Sequence, residues 1–175
     1  MSIVLVGLPG SGKTRLGMRI AEAKGLPFVD LDREIEQSSG KTVPELFEIG
    51  EAHFRDLERD ALRRALEGPD ALISTGGGIV ERPENRELLK EKLVVFLDID
   101  VEEAIRRASR SHTRPLLADG VEERMRALSA RRDAWYREVA SVRVSLGAAS
   151  KEQNTAKILK ALEGFDGKGG SDAHC

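Results

Sequence analysis

Residues 7–14 read Gly7-Leu8-Pro9-Gly10-Ser11-Gly12-Lys13-Thr14. This is the pattern G-x-x-x-x-G-K-[ST], with an apolar run before it and a helical pattern after it. The spacing has a chemical reason. Glycines let the loop fold so that successive backbone N–H groups point at anionic oxygens. The helix that follows adds the positive end of its dipole. Lys13 can reach the β- and γ-phosphates of a nucleoside triphosphate, and the Thr14 hydroxyl can coordinate Mg²⁺. Gly10, Ser11, Gly12, Lys13 and Thr14 are therefore the candidate ATP-binding residues. Downstream, Asp30-Leu31-Asp32 closes a short apolar stretch. In parallel α/β sheets ligands bind beyond the carboxyl ends of strands, which puts both aspartates on the side of the phosphate loop. The plainer alternative is that they cap the next helix.

The elements that must carry these residues can be read from periodicity. Ile3–Val6, Pro27–Asp32, Ala71–Thr75 and Leu93–Leu97 are short apolar runs, as expected for buried strands. Val142, Val144 and Leu146 alternate with polar residues, which suits an edge strand. Helical patterns lie between them. Lys13–Lys24 is closed by Gly25, and residues 33–67 break at Ser39-Gly40 and near Gly50. Thr42-Val43-Pro44-Glu45 fits a capping box. Further helices are expected over 83–90, from Asp100 to about Ala108, over 121–139 and over 151–163. Residues 107–119 are basic, contain Pro115 and lack apolar periodicity, so they read as a mobile segment. From Gly164 on, the chain is Gly-rich and polar, and is expected to be a disordered tail over 164–175. Strands alternating with helices predict an α/β fold, a parallel sheet covered on both faces. There is one domain, over residues 1–163.

A phosphate loop by itself serves kinases, GTPases and motor ATPases. No N-K-x-D base-reading motif is present. A small chain with a basic segment two-thirds along is similar to the nucleoside-monophosphate-kinase group, in which a lid brings arginines over the transferring phosphoryl group. Further motifs make the resemblance specific: Asp30-Leu31-Asp32, Gly50-Glu51-Ala52-His53-Phe54-Arg55, Gly76-Gly77-Gly78, Arg114-Pro115-Leu116-Leu117, and Arg132 four residues before Tyr136. Together with the phosphate loop they resemble the shikimate kinases from residue 3 to about 160.

That resemblance implies a three-layer α/β/α fold with strand order 2-3-1-4-5 and a lid at about 109–120. It implies transfer of a phosphoryl group from ATP, with Mg²⁺, to the 3-hydroxyl of shikimate, a step towards chorismate and the aromatic amino acids. Arg55 and Arg132 resemble the arginines that bind the acceptor's carboxylate, a task suited to a bidentate fork. Asp32 resembles the acceptor of the ring hydroxyls and is the candidate to orient the attacking hydroxyl and take its proton. The Gly76, Gly77 and Gly78 backbone is expected to close against the ring where a Cβ would collide, with Phe47 and Phe54 packing its apolar face. Asp30 and Asp32 are expected to hold Mg²⁺ through water beside Thr14. Lys13, Asp32 and Arg114 form the catalytic set, Arg114 closing over the phosphates as an arginine finger supplied in cis. Arg107 resembles the residue that stacks on adenine, with Arg106 and Arg110 as alternatives. Arg131 leaves the register of Arg132 open by one. Two departures stand out: no proline occurs at Ser150-Lys151-Glu152, where the family often places one near adenine, and Thr14 replaces the commoner serine.

Composition is compatible with this reading. The chain has 175 residues, 40% of them hydrophobic, and a net charge of −2, so no global basic field points to nucleic acid. The only cysteine is Cys175, which excludes an intramolecular disulfide. The opening apolar stretch is too short for a signal peptide or a membrane span, so a cytoplasmic location and no membrane partner are expected. No long apolar face is left over, and a monomer is expected. The rivals are a gluconate kinase or nucleoside-monophosphate kinase on the same fold, and a non-catalytic nucleotide-binding module. Such a module would be expected to lose Lys13, Asp32 or Arg114.

Overall fold

The computed structural model describes residues 1–110 and 120–166. Most of the expected lid, with Arg114, lies outside the described residues, as does the chain from residue 167. Five strands form one parallel sheet: β1 (Ile3–Val6), β2 (Phe28–Asp30), β3 (Leu72–Ser74), β4 (Leu93–Ile99) and β5 (Val142–Leu146). Their order is β2-β3-β1-β4-β5, as the resemblance implied.

Side-chain alternation along the strands builds two cores. In β1, Val4 and Val6 face one core, while Ile3 and Leu5 face the other. All four are buried, which is why the run shows no polar position. The second core is covered by α1 (Lys13–Lys24) and α8 (Lys151–Asp166), through Leu16, Ile20, Ile158 and Leu162. The first is covered by α2 (Leu31–Ser39), α3 (Val43–Ile49), α4 (Glu51–Glu67), α5 (Pro83–Lys90), α6 (Val101–Arg110) and α7 (Val121–Val139). The edge strand β5 keeps its alternation, with Val144 and Leu146 buried and Arg143 and Ser145 exposed.

Local chemistry sets the boundaries that matter for the site. Thr42 caps α3 in a full capping box, its hydroxyl accepting from Glu45 N–H and Glu45 accepting from Thr42 N–H at 2.7 Å. Gly50 separates α3 from α4 with φ 154°. Three expectations need correction. The strand expected to run to Asp32 ends at Asp30, because the Asp30 carboxylate accepts from the N–H groups of Asp32 and Arg33 and starts α2 there. The last helix does not stop at residue 163. Phe165 packs on the second core one turn beyond Leu162 and carries α8 to Asp166, which shortens the expected tail. Residues 107–110, expected in the irregular segment, are the last turn of α6.

Candidate active site

The phosphate loop joins β1 to α1 in the middle of the sheet. Gly12 is the N-cap of α1 with φ 84°, a left-handed conformation that L side chains rarely adopt. No side chain caps this helix, so its first N–H groups face the loop's concavity. Lys13 is buried in that concavity. Its Nζ donates to the carbonyls of Gly7 at 2.7 Å and Leu8 at 2.9 Å, and to Ser11 Oγ at 3.3 Å. The ammonium is thus held by the loop's own oxygens. Thr14 is exposed at the rim, and its Oγ1 lies 3.4 Å from Asp30 Oδ2. Asp30 therefore caps α2 with one carboxylate oxygen, as the plainer alternative expected, while the other faces Thr14.

The triple glycine lies beside this loop, just past β3, and each glycine is fitted to a different neighbour. A Cβ on Gly76 would stand 3.0 Å from Asp32 Oδ1 and 3.2 Å from Glu58 Oε2. On Gly77 it would stand 2.8 Å from Pro9 Cδ of the phosphate loop and 3.2 Å from Arg132 Nη1. On Gly78 it would meet the Arg55 guanidinium, with Cζ at 2.6 Å. A side chain there would collide with the protein's own Asp32, Pro9, Arg132 and Arg55. The absence of Cβ atoms brings Asp32, Arg55, Arg132 and Pro9 around one stretch of backbone.

Each arginine is mounted on a carboxylate. Arg55 Nη1 donates to Glu58 Oε1 at 2.8 Å, one turn on along α4. Its guanidinium lies over Phe47 at 5.6 Å and Phe54 at 5.4 Å, so the two rings hold the cation from one side. Phe54 is core, at 3% exposure, whereas Phe47 is open at 39%. Glu58 is itself buried. Loss of solvation raises its pKa to about 7, against the opposing pull of Arg55. Arg55 Nε and Glu58 Oε2 are buried with no hydrogen-bond partner among the described residues. Arg132 Nε donates to Glu81 Oε1 at 2.8 Å. The residue is 6% exposed, whereas the Arg131 side chain is 62% exposed, so Arg132 is the one aimed at the glycines. Tyr136, one turn further along α7, donates from its hydroxyl to Gly77 O at 2.5 Å and stacks on Phe96. Burial pushes its phenol up to about 12.

Arg107 stands apart from this cluster, on the other side of the phosphate loop. Its Nε donates to Glu103 at 3.0 Å and its Nη2 to Gly147 O at 3.2 Å, while a Cβ on Gly12 would lie 3.8 Å from its Nη1. Arg106, its alternative, is tied to Glu103 at the surface.

Sequence reasoning missed Glu58 and Glu81 as supports for the arginines and gave Tyr136 no role. Glu58 carried a signal, since an acid three residues after Arg55 on a helix is an ion-pair spacing. Glu81 carried none: it is 51 residues from Arg132.

A doubly wound parallel sheet, a phosphate loop at its centre and a cluster of buried arginines beside that loop define a P-loop small-molecule kinase. The shikimate kinase family model matches residues 9–163. The shikimate kinase of Mycobacterium avium is 45% identical over 165 residues, 93% of this chain and 94% of that protein. A structure of shikimate kinase from Acinetobacter baumannii in complex with shikimate superposes with TM-score 0.87 at 37% identity, covering 94% of this chain and 93% of the other. A gluconokinase from Sinorhizobium meliloti, at 19% identity, 99% and 97% coverage and TM-score 0.66, shares the fold alone. The chain belongs to the shikimate kinase family. Its activity is the ATP-dependent phosphorylation of shikimate, within aromatic amino-acid biosynthesis. No helix among the described residues is long and apolar enough to cross a membrane.

Proposed function

We propose that shikimate lies against the triple glycine with its carboxylate between Arg55 and Arg132 and its 3-hydroxyl at Asp32. The observation that carries this reading is the convergence of those three side chains on Gly76, Gly77 and Gly78, next to Pro9 of the phosphate loop. The carboxylate receives charge-assisted hydrogen bonds from the two guanidiniums. Asp32 accepts from the attacking hydroxyl, orients it and takes its proton as the bond to phosphorus forms. Phosphoryl transfer is mainly positioning and charge stabilisation, so alignment is the larger part of that role. Phe47 covers the acceptor ring, with Phe54 behind it.

ATP binds with its phosphates in the loop of Gly10, Ser11, Gly12 and Lys13. Lys13 leaves its loop carbonyls to stabilise charge on the β,γ-bridge. Arg107 lies along the edge of this site for adenine. Arg114 closes over the phosphates from the lid and, with it, excludes water that would hydrolyse ATP. The residues fit Mg²⁺: the Thr14 hydroxyl and the Asp30 carboxylate present hard oxygens 3.4 Å apart, and Mg²⁺ with bound phosphates needs few protein ligands. Thr14 would bind it directly, with Asp30 and Asp32 through water. Bound Mg²⁺ neutralises phosphate charge. The enzyme acts as a cytoplasmic monomer, with no nucleic acid or membrane partner.

The test is ADP release with Mg²⁺-ATP and shikimate, gluconate or no acceptor, with the product read by ³¹P NMR. ADP formed only with shikimate, and phosphorus coupled to the proton on carbon 3, is the expected result. Turnover with gluconate, or phosphate at another hydroxyl, would overturn the pocket assignment. Arg114→Ala should lower kcat far more than it weakens shikimate binding. Equal losses would count against its transition-state role.

A further inference from the structure

Glu81 is an acid with no evident duty in the chemistry, yet its side chain is only 7% exposed. It accepts from Arg132 Nε through Oε1 at 2.8 Å, and its Oε2 lies 2.8 Å from Arg131 Nη2. One carboxylate thus holds two adjacent arginines of α7, one buried and one exposed. The mount is stiff. The turn Gly78–Glu81 is closed by Glu81 N–H on Gly78 O at 3.0 Å. Arg86 donates from Nη1 to Val80 O at 2.7 Å and Glu81 O at 3.3 Å, and its guanidinium rests on Trp135 of α7 at 4.7 Å. The turn that begins with the triple glycine therefore ends in the residue that fixes Arg132.

We infer that Glu81 is a positioning residue for the acceptor site, which sets the Arg132 guanidinium by its Nε edge and leaves the Nη edge facing Gly77 and the substrate carboxylate. An arginine fork loses its bidentate advantage when its plane is free to rotate. Glu81 occupies the Nε–H and so removes that rotation. It also draws Arg131 to the outer side, which makes the neighbouring arginines one inward ligand and one surface group. This rests on the proposed contact between Arg132 and the carboxylate.

The test is steady-state kinetics with both substrates varied for Glu81→Ala, Glu81→Gln, Arg131→Ala, Arg132→Ala and the Glu81→Ala/Arg132→Ala double variant, with Tm recorded for each. Losing the mount should raise the shikimate KM about tenfold, the scale of one charge-assisted hydrogen bond, with kcat and the ATP KM within about twofold. Glu81→Gln keeps an oxygen for Nε and should recover most of the loss. It also serves if the alanine variant does not fold. The double variant should be no worse than Arg132→Ala alone, and Arg131→Ala should stay within about twofold, as a surface ion pair does. A raised KM in Arg132→Ala beside an unchanged one in both Glu81 variants would overturn the inference and keep the site. An unchanged KM in Arg132→Ala would overturn the carboxylate contact itself, and the inference with it. A large loss in Arg131→Ala would reverse the inward and outward assignments.

Discussion

The phosphate loop and the acceptor pocket meet at Pro9 and Gly77, yet they are built in opposite ways. The loop is a contiguous run whose donors are backbone groups, and its one buried cation is held by its own carbonyls. The proposed acceptor pocket draws Asp32 from α2, Arg55 from α4, Gly76–Gly78 from beyond β3 and Arg132 from α7. Its cations are held by Glu58, one turn along α4 from Arg55, and by Glu81, which folding brings to Arg132. A site that binds a general ligand through the main chain can be encoded locally. A site that selects one acceptor by side chains needs a second layer to aim them, and that layer buries acids beside the cations.

The largest effect expected from this contrast is in the loop. Lys13→Ala should lower kcat by about 10²–10³, the scale of one lost charge-stabilising donor, with shikimate affinity almost unchanged. A loss in shikimate binding of similar size would mean that the two regions are not separate.

Glu58 gives the next effect, on stability. Its pKa rises from 4.5 to about 7 in the folded protein because burial outweighs Arg55. The folded state therefore holds this proton more tightly than the unfolded chain. The stability this contributes is full below about pH 4.5 and is lost as pH rises through 7, a change of order 3 kcal/mol. Thermal unfolding of Glu58→Gln should show a flatter pH dependence between those limits. An unaltered slope would mean that Arg55 keeps Glu58 ionised throughout, and that the pocket's charges are cheaper than the contrast requires. The smallest effect is at Tyr136. Tyr136→Phe removes the bond to Gly77 O and should cost about 1 kcal/mol in stability, with a few-fold rise in shikimate KM and none in ATP KM.

The same division decides what could be read from the sequence. The strands, the sheet's parallel sense and the phosphate loop were legible because apolar periodicity and glycine spacing are local. The capping box at Thr42 was legible for the same reason. Asp30 and Asp32 were found, but their backbone was misassigned, because Asp30 caps α2 and pulls Asp32 into its first turn. The triple glycine was found, but not its fit to residues far along the chain: Asp32, Arg132 and Arg55 each need the room. Glu81 was invisible because nothing local ties it to Arg132. Phe165 was lost in a Gly-rich stretch, although its contact with the second core extends α8.

The most direct test of two separately built sites is steady-state kinetics of Arg55→Ala with each substrate varied in turn. Arg55 is a buried element of the proposed acceptor pocket, packed against Gly78, Glu58 and two rings. The shikimate KM should rise by about 10²-fold, two charge-assisted contacts being lost, while the ATP KM stays within about twofold. A comparable rise in both constants, or none for shikimate, would contradict the account.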